Sequence, residues 1–324
     1  MKKSTRNLLI GAGVTTLGIG IVSATSYFVS KMLFNVALQR ETPEFIAKNM
    51  TKLSGTVFFG EFADTIKDAA EKLLNSETEE VIIESSDGIK LVGHWQAAKN
   101  PKRIIIAMHG WRSNWANDFG LASDFWKEND CSVLYAEQRG QGNSEGDYMG
   151  FGLLERYDCL DWINWVNNKT GGTLPIYLSG VSMGATTVLM AAGLDLPENV
   201  KGISADCGFT SPHSIWKHVS QKNLHIPYSS VHEAIINDMC KKHINMNADE
   251  YTTLDAMKRC KTPILFIHGT DDKFVPISMT YENYKACAAP KTLLVVPGAE
   301  HGMSFLVDNE LYRQTAKQFW KEND

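Results

Sequence analysis

Gly180-Val181-Ser182-Met183-Gly184 is the stretch of this chain best equipped for chemistry. It follows the apolar run Ile176–Ser179 and opens the small-residue helical pattern Ala185–Met190. A strand that turns this tightly into a helix leaves no room for side chains two positions either side of the serine, so glycine stands at both. The turn holds the serine backbone in a strained conformation with its hydroxyl projecting. The helix start then aims N–H groups at any negative charge that develops beside it. A bare G-x-S-x-G pattern arises by chance in roughly one chain of this length in ten. Its position between a buried strand and a helix is what gives it weight. The chemistry expected is nucleophilic attack by Ser182 on an acyl carbon.

A serine alcohol needs a base, and the base needs an orienting carboxylate. Among nine histidines, His301 is best placed, in the glycine-flanked loop Pro297–Gly302 directly after the strand-like run Thr292–Val296. The run Ile264–Ile267 leads into His268-Gly269-Thr270-Asp271-Asp272-Lys273-Phe274-Val275-Pro276, which supplies two candidate carboxylates. One of the two aspartates is free to cap its own loop as an Asx turn. The loop after Ile104–Met108 reads His109-Gly110-Trp111-Arg112-Ser113-Asn114. Gly110 lets the backbone pass close to the sheet edge, so that the Trp111 N–H would join that of Met183 in holding an oxyanion. His109 reads as structural. Trp111 and Trp115 either line a substrate pocket or pack beneath a cap.

Six short apolar runs must position these loops: Ile104–Met108, Ser132–Ala136, Ile176–Ser179, Gly202–Ala205, Ile264–Ile267 and Thr292–Val296. Continuous runs of this kind suit strands buried on both faces of a parallel sheet. Helical patterns alternate with them at Phe119–Lys127, Leu153–Asn167, Met183–Gly193 and Met279–Cys287, and Ser304–Trp320 closes the chain. The alternation predicts an α/β class fold with a mostly parallel, doubly wound sheet. A hairpin with an Asp87-Gly88 turn precedes it. The interval 208–262 is too long for a simple crossover and is rich in His, Trp and Tyr, so it reads as a helical cap inserted between two late strands.

The 324 residues carry a net charge of −5, which offers no basic face for a nucleic-acid partner. Hydrophobic residues at 44% and charged residues at 21% match a globular average and exclude intrinsic disorder. The six cysteines form no CxxC pair and no zinc-like spacing with histidine, so buried free thiols are expected, with no metal and no cofactor. Lys2, Lys3 and Arg6 precede an uncharged stretch from Leu8 to Val29, long enough to cross a bilayer. It reads as a single membrane anchor, continued by Met32-Leu33-Phe34 and Val36-Ala37-Leu38, with the catalytic body outside. Cleavage near Ala24 and secretion is the alternative. The expected organisation is an anchor or signal segment over 1–40, a helical connector over 41–79 and a catalytic domain over 80–324. A chain starting near Glu41 is expected to be soluble and active.

The order Ser182, acid, His301 resembles that of the α/β-hydrolase superfamily over residues 80–324. The resemblance implies Ser182 as nucleophile, His301 as general base, and Trp111 and Met183 as oxyanion donors. It also implies Asp272 as the acid, from the arrangement G-x-x-D-x-x-V-P read from Gly269 to Pro276. Arg139-Gly140-Gln141-Gly142-Asn143-Ser144 matches a further loop of the superfamily, although Glu137 stands where Asp is common. The N-terminus resembles that of membrane-anchored extracytoplasmic bacterial hydrolases. The expected activity is cleavage of small-molecule carboxylic esters with an apolar or aromatic group. Thioesterase or peptidase activity, or a non-catalytic binding protein on the same fold, are the alternatives, and oligomeric state is not legible.

Overall fold

All six apolar runs are parallel strands in the computed structural model, which describes residues 25–41 and 62–324. They are β3 (Arg103–Met108), β4 (Cys131–Ala136), β5 (Ile176–Val181), β6 (Val200–Asp206), β7 (Ile264–Gly269) and β8 (Lys291–Val296). The hairpin β1 (Glu79–Glu84) and β2 (Lys90–Gln96) adds antiparallel to β4. Gly88 takes φ +88° at its turn, a conformation that disfavours any side chain. The eight strands run in the order β1-β2-β4-β3-β5-β6-β7-β8.

The helices are α1 (residues 25–38), α2 (Ala63–Leu74), α3 (Trp115–Glu128), α4 (Glu155–Thr170), α5 (Met183–Ala191) and α6 (Pro212–His218). Then come α7 (Ser230–Ile244), α8 (Thr253–Arg259), α9 (Ile277–Ala286), α10 (Ser304–Val307) and α11 (Asn309–Asn323). Alternation along β3 sorts the core into two layers. Ile104, Ile106 and Met108 pack with α4, α5 and α8 residues such as Trp162, Val188 and Met257. Ile105 and Ala107 face Phe119, Phe125 and Phe319 on α3 and α11.

The chain leaves β3 for β4 on one side and returns to β5 on the other. The loops after β3 and β5 therefore diverge from adjacent strand ends, Met108 opposite Gly180, and open a crevice at this topological switch point. Trp111 and Ser182 lie on those two loops.

Three sequence boundaries move. The expected closing helix is two, because Asp308 leaves helical geometry (φ −133°, ψ 73°) and accepts the Leu311 N–H at 3.1 Å to cap α11. The expected cap contains the crossover helix α8, whose Ala256 and Met257 are fully buried against the sheet layer. Within 208–262, residues of α6, α7 and the turn between them line the same cleft as Ser182.

The third boundary is the most consequential. Residues 33–40, assigned to the anchor from sequence, belong to the folded body: Leu33, Phe34 and Leu38 are buried in its larger core. The Leu38 carbonyl accepts the Met149 N–H at 2.7 Å, and the Arg40 guanidinium donates to the carbonyls of Ser144 (2.5 Å) and Gly142 (2.6 Å). Burying each such apolar side chain stabilises by about 1.5–3 kcal/mol. A chain starting at Glu41 would lack that packing. Among the described residues no helix is long and apolar enough to cross a membrane. The span read at Leu8–Val29 falls, up to residue 24, outside the described residues. All six cysteines are buried and free.

Candidate active site

Ser182 joins β5 to α5 with φ 56° and ψ −117°, a left-handed conformation that costs backbone energy for any residue with a Cβ. Packing enforces it. A Cβ on Gly180 would meet the Gly184 carbonyl oxygen at 2.2 Å, and one on Gly184 would meet that of Met108 at 1.8 Å. Both glycines are therefore required for the elbow to fold against the end of β3. The Ser182 N–H donates to the Asp206 carbonyl at 2.9 Å, tying the elbow to β6 as well.

The structure brings Ser182, His301 and Asp272 together. Ser182 Oγ lies 2.9 Å from His301 Nε2, and His301 Nδ1 lies 2.7 Å from Asp272 Oδ2. An ionised carboxylate only accepts, so Nδ1 carries the hydrogen and Nε2 is left to accept the serine proton. Asp271, the other sequence candidate, is exposed and accepts the Thr270 hydroxyl at 2.8 Å. Asp272 also makes the turn that sequence reasoning assigned to one aspartate or the other. Its Oδ1 accepts the N–H groups of Phe274 and Val275, each at 2.9 Å.

His268, at the end of β7, was not singled out from sequence. It is fully buried, with Nε2 3.1 Å from Asp272 Oδ2 and 2.9 Å from the Val275 carbonyl. Both neighbours accept, so Nε2 donates, while Nδ1 accepts the Thr280 hydroxyl at 2.7 Å. Burial would raise the Asp272 pKa. The positive field of His301 and the hydrogen bonds from His268 and His301 outweigh it and hold the carboxyl well below its usual range. Burial would lower that of His301, but Asp272 beside it lifts it well above 6.5.

The H-x-x-x-D spacing at the end of β7 was the available signal for His268. Replacing it with alanine is expected to lower kcat roughly ten- to hundredfold at nearly constant KM, the cost of a slightly misplaced acid. His268→Gln, which retains an N–H donor, is expected to recover part of the loss. Steady-state kinetics in which His268→Ala stays within twofold of the parent would remove His268 from this role.

The loop after β3 is pinned on both sides of Trp111. The Gly110 N–H donates to Asp118 Oδ2 and the Arg112 N–H to Gln141 Oε1, both at 2.6 Å. The Trp111 N–H between them makes no hydrogen bond among the described residues. Met183 is the first residue of α5, where an N–H has no intrahelical acceptor. A Cβ on Gly110 would stand 3.4 Å from that of Ser182, so the loop runs alongside that serine. His109, read from sequence as structural, makes its hydrogen bonds within the loop and to Gln138. It is buried, its Nδ1 donates to the Gly110 carbonyl at 2.8 Å, and burial lowers its pKa and keeps it neutral. Glu137 is structural too: it accepts the Asn143 N–H and lies 2.8 Å from His94 Nε2.

A cleft enclosing about 630 Å³ of empty space, partly open to solvent, adjoins Ser182. Phe34, Trp111, Phe151, Phe209, Trp216 and Phe274 line it, and among the described residues Ser182 and Ser220 are its only polar lining residues besides the indole N–H groups of Trp111 and Trp216. The Ser220 hydroxyl is engaged with the Ile226 carbonyl at 2.8 Å. Trp111 is thus a cleft residue. Trp115 packs on the opposite face, stacked on His94 with centroids 4.2 Å apart.

Sequence reasoning also missed Cys207, whose sulfur lies with donor atoms of Asp272 and His301 inside a 4.8 Å span. Burial pushes its thiol up to about 11, so it stands beside the histidine as a neutral group. Both Asp272 oxygens are already occupied by N–H donors, which fits a hydrogen-bonded network better than a metal site.

The model of the prolyl oligopeptidase family matches residues 117–323, well over half the chain, and that span holds Ser182, Asp272 and His301. The chain belongs to this family. As a prolyl oligopeptidase family member it is a hydrolase of α/β-hydrolase fold, as the sequence resemblance implied. The uncharacterized protein YqkD of Bacillus subtilis is 28% identical to it over 313 residues, covering 96% of this chain and 95% of the relative. The Pyrococcus furiosus esterase Pf2001 superposes with a TM-score of 0.63 at 21% identity, covering 78% of this chain and 93% of that one. Est1E of Butyrivibrio proteoclasticus, solved with ferulic acid bound, gives 0.58 at 19% identity over 75% of this chain and 98% of its own. At these identities the two structures share the fold with this prolyl oligopeptidase family member.

Proposed function

We propose that this chain is a serine hydrolase that cleaves carboxylic esters bearing an apolar or aromatic group. The observation that carries the proposal is the Ser182 hydroxyl, hydrogen-bonded to an oriented imidazole, opening into a cleft with almost no polar lining. Ser182 Oγ attacks the acyl carbon as its proton passes to His301 Nε2. The carbonyl oxygen, now negative, is held by the N–H groups of Trp111 and Met183. The alcohol departs with the proton from His301, leaving the acyl group on Ser182, and water repeats the sequence to release the acid.

The family match favours a peptidase as the second reading, since the same array serves any acyl transfer. Peptide substrates carry amide groups that need hydrogen-bond partners once they leave water. Among the described residues the cleft lining offers them the Trp216 Nε1–H, which has no partner, and Ser220, which is already engaged. Paired p-nitrophenyl esters and p-nitroanilides of the same acyl groups, from acetyl to palmitoyl, separate the readings. The esters are expected to turn over and the anilides to remain intact. A higher kcat/KM for an anilide than for its ester would make peptidase the better description.

A further inference from the structure

We infer that the acyl group of the substrate seats against α1, and that Phe34 and Ala37 on this helix decide how long an acyl chain is accepted. The inference rests on the serine-hydrolase reading and adds to it the element that sets selectivity. Leu33, Phe34 and Ala37 fall on one stripe of α1, three and four residues apart, and that stripe faces the same cleft as Ser182. Ile215 and Trp216 of α6 and Ile236 of α7 line the cleft from the insertion after β6. Phe151 packs on Trp111 (6.3 Å between centroids), Phe209 (5.8 Å) and Trp216 (5.2 Å), joining these walls through one aromatic cluster. Near the nucleophile, Phe274 stacks on Trp111 at 6.4 Å and turns its edge to His301 at 5.1 Å. Among the described residues, a chain leaving the acyl carbon meets mostly apolar side chains. The lining has no cation for a charged tail and no unengaged hydroxyl for a polar one.

The α1 wall is fixed relative to the reacting atoms. Trp111 Nε1 donates to the Ala37 carbonyl at 2.8 Å, and the Arg112 guanidinium donates to the carbonyls of Val36 (2.9 Å), Gln39 (2.6 Å) and Arg40 (3.1 Å). A cation at a helix C-terminus satisfies orphan carbonyls and complements the dipole. Here the clamp consists of the proposed oxyanion donor Trp111 and the residue after it. The wall that measures the chain and the N–H that would hold the oxyanion are therefore one mechanical unit. Nothing in the sequence separated this helix from the apolar stretch before it.

The test is the second-order rate at which alkyl fluorophosphonates, from ethyl through butyl and octyl to dodecyl, label Ser182 in the full chain. Phe34→Ala should raise the dodecyl-to-butyl rate ratio about tenfold or more, by opening the wall. Ala37→Leu should lower that ratio by a similar factor, by filling the cleft. Should Phe34→Ala unfold, which a thermal melt reveals, Ala37→Leu decides alone, because it adds side chain at a partly exposed position and keeps the carbonyl that Trp111 uses. Chain-length profiles parallel to the parent's in folded variants would overturn the seating against α1 and leave the serine-hydrolase reading intact. Absence of labelling of the parent by every reagent would overturn that reading, and this inference with it.

Discussion

Ser182→Ala is expected to lower kcat on a reactive ester by about six orders of magnitude while the protein stays folded. That is the loss seen when a serine or its base is removed from an array in which the groups act as a unit. Serine and alanine differ by one oxygen, and the backbone strain at φ 56° is borne by the packing of Gly180 and Gly184 whichever of the two stands there. The variant therefore removes the attacking atom and its hydrogen bond to His301 and little else. The remaining rate would reflect binding and the oxyanion donors acting on water. An equal thermal melting temperature together with activity within tenfold of the parent would show that the ester is cleaved elsewhere.

Asp272→Asn is expected to reduce turnover by about 10⁴, because an amide cannot fix the tautomer that leaves Nε2 free to accept, nor balance the imidazolium that forms. Asp271→Asn should remain within about tenfold, since its carboxylate meets only solvent and Thr270. The two residues adjoin one another, so the comparison controls for local disturbance of the loop. The pH dependence adds an independent sign. Asp272 raises the His301 pKa above 6.5, and the base is the deprotonated ring. In the parent, kcat/KM should therefore climb with pH through a limb above 6.5, as His301 loses its proton. With the carboxylate gone, the limb should move to lower pH even as the plateau falls. Activity ranked in the opposite order in variants of equal stability, or a limb that does not move, would assign the acid elsewhere.

The strands were legible because β3, β4 and β7 are buried throughout and so are written as unbroken apolar runs. Ser182 and His301 were legible because glycines mark the turns that place them. Asp272 and Asp271 have the same chemistry and adjacent positions, and only the superfamily arrangement ranked them before the geometry did. His268 escaped notice because its spacing to Asp272 is its one signal, and a buried histidine at a strand end is otherwise lettered like a merely packed one. Residues 33–38 of α1 read as a continuation of the apolar stretch for a physical reason. A helix that buries Leu33, Phe34 and Leu38 in a protein core has the same apolar lettering as one that continues a membrane span. The decisive signals were polar and remote in sequence: the Trp111 and Arg112 side chains that reach its last carbonyls. The insertion was read too long because α8 is amphipathic like the cap helices, and only its packing against the sheet layer assigns it to the crossover.

The most direct measurement is exposure of the folded full chain to a fluorophosphonate, followed by peptide mass spectrometry. Ser182 Oγ would bond to phosphorus, fluoride would leave, and the serine proton would pass to His301. A single adduct on Ser182 that forms in the folded parent, and fails to form in mildly unfolded protein or in His301→Ala, is the expected result. No serine adduct in folded protein, or an adduct confined to another serine, would contradict Ser182 as an activated nucleophile.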